Sequence, residues 1–237
     1  MALPLQAAPI YTLIIPSSNK ELKYRPFLVK EQKALLVAQQ SEDMLVMIDT
    51  IKEVIKACAK TELDVEKLAV FDIEYIFSQI RAKSVGETVE LFFFCDTCDD
   101  DKAKAQVTID LTKMEVKKNP EHNNKIPLFD DVGVVMSYPT IDIIKKVDKI
   151  DFNEIEAIFD IIINSIDYIY TGSELYYANE QKRDELETFI NNLNQEQFLK
   201  IQNFFETMPK LQKEVDYSCP VCGKEHHKVM EGLNNFF

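Results

Sequence analysis

The sequence predicts an α+β fold, and three observations lead there. Apolar residues recur at three- and four-residue spacing over several long stretches, the period of helices with one buried face. Near Val89 and again near Val107 the period drops to two, as in half-buried strands. Four of the five cysteines form two Cys-x-x-Cys pairs, Cys95/Cys98 and Cys219/Cys222, with 120 residues between them. Two intervening residues let both sulfurs of a pair face one small cation, and two such pairs complete a tetrahedral thiolate shell for zinc.

The elements follow in order. Ile10 to Ile15 read as a short strand stopped by Pro16. Pro26 precedes a helical stretch that starts near Lys30. Ser41 is placed to cap a second helix, with Met44, Met47, Ile48, Ile51, Val54, Ile55 and Cys58 on its apolar face. Cys58 falls on that face and reads as a core residue, not a ligand. Asp64 is expected to cap a third helix running to about Lys83, whose wide stripe from Leu68 to Ile80 predicts burial on much of its circumference. Alternating residues around Val89–Leu91 and Val107–Leu111 form strands on either side of the first cysteine pair, and Val132 to Tyr138 is a further extended stretch.

Helical signals return at residue 140. Asp151 with Glu154 resembles a capping box, and Phe152, Ile155, Ile158, Phe159, Ile162, Ile166 and Ile169 predict a single helix of about five turns. Two more helices are expected near 174 to 193 and 195 to 207, the latter capped by Asn194 and ended before Pro209. From Lys213 the tail is extended around the second cysteine pair. The chain thus reads as a single domain over 1–237: a helical part about 1–84, a ribbon part about 85–139 plus 211–237, and a helical insertion about 140–210.

Each cysteine pair sits on a strand-turn-strand pattern, and Gly223 suits a turn that needs positive φ. Together they describe the two halves of a zinc ribbon, with Cys95, Cys98, Cys219 and Cys222 as ligands of a structural Zn2+. Thiol redox chemistry of the thioredoxin type wants its pair at a helix start, and neither pair is followed by helical periodicity. Four thiolates leave no open position for catalysis unless one is replaced. His226 and His227 are alternative ligands, but their place in a predicted strand favours a surface or supporting role. Lys102, Lys104 and Lys224 lie close enough in sequence to offset the negative charge of the thiolates.

Composition narrows the function. The 237 residues are 46% hydrophobic, ordinary for a folded chain, with only 5 Gly. Twenty-seven basic against 40 acidic residues give a net charge of -13, which repels phosphate backbones and argues against nucleic-acid binding. No apolar run approaches the ~20 residues of a membrane helix, and the N-terminus lacks the basic and apolar regions of a signal peptide. A reducing cytoplasmic place of synthesis is expected, where paired cysteines favour metal over disulfides.

Asp99, Asp100 and Asp101 lack EF-hand spacing and read as a solvated loop. His122 has no evident partner. No phosphate loop, nucleophile elbow, His-Glu-x-x-His or dinucleotide motif is present, so neither an enzyme nor a small-molecule substrate is expected. The aromatic end, Glu231 to Phe237, is expected to tuck into the core sooner than to serve a partner.

Two segments carry a resemblance: Tyr24-Arg-Pro-Phe-Leu-Val-Lys-Glu-Gln-Lys-Ala-Leu-Leu36, and Asp72-Ile-Glu-Tyr75 to Arg81-Ala-Lys-Ser-Val-Gly-Glu87. With the cysteine pairs, Pro209-Lys-Leu211 and the Gly232-Leu-Asn-Asn-Phe-Phe237 ending, the chain resembles the baseplate hub assembly proteins of T-even-type contractile-tailed bacteriophages over nearly its whole length. The resemblance implies a non-enzymatic hub component or hub assembly factor. Its partners would be phage hub or tail proteins, in the host cytoplasm during assembly or in the virion tail baseplate. It carries no active site to transfer, so the zinc expectation rests on cysteine spacing alone. The alternative is a zinc-ribbon factor associated with nucleic acid or transcription, which the charge disfavours. Tyr24, Arg25, Pro26 and Phe27 mark either a special turn or a simple pairing of Arg25 with an acidic neighbour.

Overall fold

The computed structural model describes residues 7–98, 102–148 and 154–232. The Asp99–Asp101 loop, the Asp151/Phe152 helix start and the aromatic C-terminus lie outside these residues. The fold is α+β.

Strands β1 (Tyr11–Ile14) and β2 (Glu21–Tyr24) form a hairpin that buries Leu13, Leu22 and Tyr24. The turn after β2 is fixed by Arg25. Its Nη2 donates to Glu31 Oε1 at 2.8 Å and its Nη1 to Pro26 O at 2.8 Å. The other Glu31 oxygen accepts the Leu28 N–H at 2.8 Å, where helix α1 (Val29–Gln40) begins. One buried carboxylate therefore holds both the turn and the helix start, and the pairing and the special turn are one feature.

Helix α2 (Met44–Cys58) is capped by Asp43, whose Oδ1 accepts from Leu45 N at 2.8 Å and Val46 N at 3.3 Å. This corrects the expectation for Ser41, whose hydroxyl donates back to Ala38 O at the end of α1. Glu42, at φ 55°, turns the chain between the two helices. Cys58 is fully buried at the end of α2, and burial raises its thiol to about 11. Helix α3 (Val70–Ser84) starts later than Asp64, because Val65–Lys67 form a 3-10 turn and the Val70 N–H goes to Pro139 O at 3.1 Å.

Strands β3 (Thr88–Phe94) and β4 (Lys104–Asp110) pair antiparallel from Thr88↔Asp110 to Phe94↔Lys104. Then come β5 (Glu115–Lys117), β6 (Lys125–Phe129), β7 (Val132–Met136), α4 (Ile141–Asp148) and α5 (Glu154–Asn164). The expected five-turn helix ends at Asn164. Ile166 and Ile169 lie instead on β8 (Ile166–Thr171), which pairs with β7. An Ile-rich stretch satisfies both periods, and β-branched and aromatic residues go to strand where a neighbouring strand is waiting. The helix expected from 174 is also shorter. Gly172, at φ 55°, makes a hairpin turn into β9 (Glu174–Tyr177), and helix α6 covers only Arg183–Asn191. Helix α7 (Gln195–Thr207) has the expected Asn194 cap, its Oδ1 accepting from Gln197 N at 2.9 Å. The chain closes with β10 (Lys210–Ser218) and β11 (Glu225–Glu231).

Two compact units emerge. The first is built from Met1–Val65, Phe71–Lys117 and Lys210–Phe237, the second from Glu66–Val70 and Lys118–Pro209. In the first, β10 lies between β11 and β5, with Lys210 opposite Lys117, so the segment between them leaves and re-enters at one register position. In the second, the sheet β6-β7-β8-β9 buries Ile126, Leu128, Val134 and Met136 against Ile162 and Ile163 of α5, Leu186 and Ile190 of α6, and Ile201 and Phe204 of α7.

Candidate metal centre

The β3–β4 and β10–β11 hairpins carry the two cysteine pairs at their turns. Each first cysteine is anchored to the returning arm of its own hairpin. Cys95 N donates to Ala103 O at 2.9 Å, and Cys219 N donates to Lys224 O at 2.8 Å. In the second turn Gly223 takes φ 73°, as its sequence position predicts, and its N–H bonds Cys219 O at 2.9 Å. The hairpins are also tied to each other. Tyr217 stacks on Phe93 at 5.1 Å, and its hydroxyl donates to Phe94 O at 3.3 Å.

All four sulfurs gather within 4.8 Å of one another. Cys95 to Cys222 and Cys98 to Cys219 are both 3.9 Å apart, too far for disulfides. A tetrahedron with metal–sulfur bonds of about 2.3 Å has edges of about 3.8 Å, so the donor set fits a zinc-sized, thiolate-preferring ion. Cys95 and Cys219 are buried, Cys98 is half-buried and Cys222 is exposed.

The thiols are electrostatically unequal. The Thr97 hydroxyl, 3.2 Å from Cys95 Sγ, and the Thr97 backbone N–H draw Cys95 down to about 5. Hydrogen bonding with Cys222 and then burial push Cys98 up to about 12. Neighbouring sulfurs resist one another's charge, and a divalent cation removes that conflict. Lys224 Nζ pairs with Asp96 Oδ1 at 3.0 Å, holding that carboxyl below its usual range, and its charge also acts on Cys95 and Cys222. Lys104 instead lies 4.1 Å over the Phe92 ring.

The two histidines diverge, as neighbours on a strand must. His226 stacks on Tyr217 at 4.9 Å, its Nδ1 is 3.7 Å from Asp96 Oδ1, and with Cys95 and Asp96 it makes a second group of donor atoms within 4.8 Å. His227 faces away and meets Asp216 Oδ1 at 2.7 Å. A strand follows each pair, so neither stands at the helix start that thiol redox chemistry uses.

His122 lies in the second unit and has the partners its local sequence does not reveal. Its Nδ1 meets Thr207 Oγ1 at 2.9 Å, and its ring stacks on Tyr138 at 5.6 Å and tilts against Phe204 at 5.0 Å. Burial lowers its pKa. No helix among the described residues is long and apolar enough to cross a membrane.

Comparison with known proteins shows what the chain is similar to. The family described as T4 bacteriophage base plate protein matches residues 8–237. The chain is 22% identical over 227 residues to the baseplate hub assembly protein gp26 of Enterobacteria phage T4, covering 96% of this chain and 97% of that protein. No solved structure matches.

Proposed function

The chain belongs to the T4 bacteriophage base plate protein family, and from that premise we propose that it is a non-enzymatic component or assembly factor of the tail baseplate hub. End-to-end similarity to a baseplate hub assembly protein carries this reading, since it spans both units. The protein acts through contacts with other hub or tail proteins, in the host cytoplasm during assembly or in the finished tail baseplate. The nucleic-acid alternative gains nothing from the family, and the net charge of -13 opposes it.

Within that role the cysteine hairpins form a zinc ribbon, and Cys95, Cys98, Cys219 and Cys222 hold one structural Zn2+. Bound there, the ion supplies a cross-link and no open coordination position. The tethered hairpins keep β10 and β11 in register, and the Tyr217–Phe93 stack ties one hairpin to the other.

Pull-down of tagged protein from infected cells with mass spectrometry is expected to recover baseplate hub proteins. Recovery of a lone protein under conditions that preserve baseplate intermediates would defeat the assembly role. Metal analysis of reduced, purified protein is expected to give one zinc per chain, with cobalt substitution producing the absorption of a tetrahedral thiolate site. Wild-type protein that takes up neither metal would refute the zinc site and leave the assembly role standing.

A further inference from the structure

The sheet of the second unit has two edges, and they are treated differently. The β6 edge carries Pro127, which has no N–H to offer, and its register shifts between Pro127 and Phe129. Lys125 places a charge on the same strand, and Lys200 Nζ donates to Leu128 O at 3.4 Å. Each device discourages the addition of another strand. The β9 edge, Glu174-Leu175-Tyr176-Tyr177, has no proline, no lysine and no irregularity in its pairing with β8. Among the described residues, no backbone group outside β8 bonds to it. Leu175 keeps 49% and Tyr177 42% of its surface in water.

The face beside that edge is aromatic. Register places Tyr177 opposite Tyr168 and Leu175 opposite Tyr170, on the side of the sheet away from the buried Ile126, Val134 and Ile162. Gly133 lets Tyr170 lie flat on the sheet, because a Cβ there would meet the phenol oxygen at 2.2 Å. Lys125 Nζ already sits 4.7 Å over the Tyr170 ring, so the face holds one cation of its own. The surroundings are acidic. Residues 118–209 contain eight basic and seventeen acidic side chains. Glu174 lies on the edge strand, Asp167 and Glu180 flank the hairpin in sequence, and Asp131 O accepts the Gly172 N–H at its turn.

We propose that β9 is a docking edge for an extended, arginine- or lysine-bearing segment of another protein, which adds as a fifth strand and lays cationic side chains over the tyrosine face. Backbone bonds to the free edge would give affinity, and the acidic, aromatic surroundings would select the charge. A second copy of this chain is a poorer occupant, since it brings its own acidic surface to the edge. The assembly reading bears on who the partner is, while the edge itself stands on the geometry.

The test uses the full-length protein and a peptide of about ten alternating arginine and threonine residues, the span of a long strand. Amide chemical-shift changes are expected at 168–177 and not at 125–129. A peptide N-methylated at alternate residues, or a glutamate-threonine peptide, is expected not to bind. Leu175→Ser with Tyr177→Ser is expected to weaken binding roughly tenfold, and Glu174→Lys about threefold. These residues are exposed, and far-UV circular dichroism checks that the variants stay folded. Absence of binding, shifts elsewhere, indifference to N-methylation or to the variants, or a concentration-dependent dimer lost in the same variants would each overturn the proposal. If hub proteins co-purify equally with wild type and variants, the edge fails and the assembly role survives. If nothing co-purifies with wild type while the peptide binds as expected, the role fails and the edge survives.

Discussion

The cysteine end of the first unit and the core of the second are held together by different means. At the cysteine end the buried cluster is Cys95, Ala103 and Cys219, with Cys98 packed against it. Among the described residues, one cluster of eleven is buried between the sheet and three helices of the second unit. Four sulfurs cover little apolar area, and the two hairpins add to them only a few contacts such as Tyr217 on Phe93, so a cross-link there has more to supply. The larger cluster excludes enough apolar surface from water to need none. The proposed zinc would stand in where hydrophobic area is short.

Chelation at the proposed zinc site is the strongest way to break this comparison. Structural zinc contributes on the order of 10 kcal/mol of apparent binding energy. Chelation, or Cys219→Ser, should therefore disorder the cysteine hairpins and β11 while the amide signals of α5 to α7 persist. A single transition that also abolishes those helices would erase the distinction. Next in size, Phe204→Ala should destabilise the second unit by about 3 to 5 kcal/mol. Zinc content should stay unchanged, as read by urea denaturation beside metal analysis.

A third test lies in the first unit, away from the sulfurs. Glu31→Ala leaves Arg25 buried without its carboxylate and should cost about 3 kcal/mol. Burial pushes the Glu31 carboxyl up, but the Arg25 hydrogen bond and the Leu28 N–H outweigh it and leave the carboxyl below its ordinary value. That contribution is complete above the unfolded carboxylate range and is lost as pH falls through the lower folded value. Urea midpoints of wild type and Glu31→Gln should therefore converge in acid. The smallest effect concerns His122, whose pKa burial lowers from 6.5. Its share of the second unit's stability is present above the unfolded value and lost as pH falls through it toward the folded one. His122→Phe should flatten that dependence by about 1 kcal/mol or less.

Local chemistry was legible in the sequence, and contacts between distant segments were not. Cysteine spacing and the Gly223 turn depend on a few adjacent residues, and both appear where the sequence puts them. Ile166 and Ile169 were misplaced because isoleucine at mixed spacing fits helix and strand alike, and β7 on one side and β9 on the other decide the matter. The choice of Asp43 over Ser41 turns on the left-handed backbone at Glu42, which a non-glycine residue does not advertise. His122 looked isolated because Thr207, its partner, is 85 residues away. The β9 edge gave no strand signal at all, since a strand exposed on both sides loses the alternation that marks one.

The separation of the two cysteine pairs also sets a clock. The first pair leaves the ribosome with half a coordination shell, and Cys222 follows Cys98 only 124 residues later. At about 5 to 20 residues per second that interval is roughly 6 to 25 s. For that time two thiols wait while the second unit, whose core is completed only by Ile201 and Phe204, is being made. Closure of the four-sulfur cluster thus comes late in synthesis, after the segment between Lys117 and Lys210 has been made.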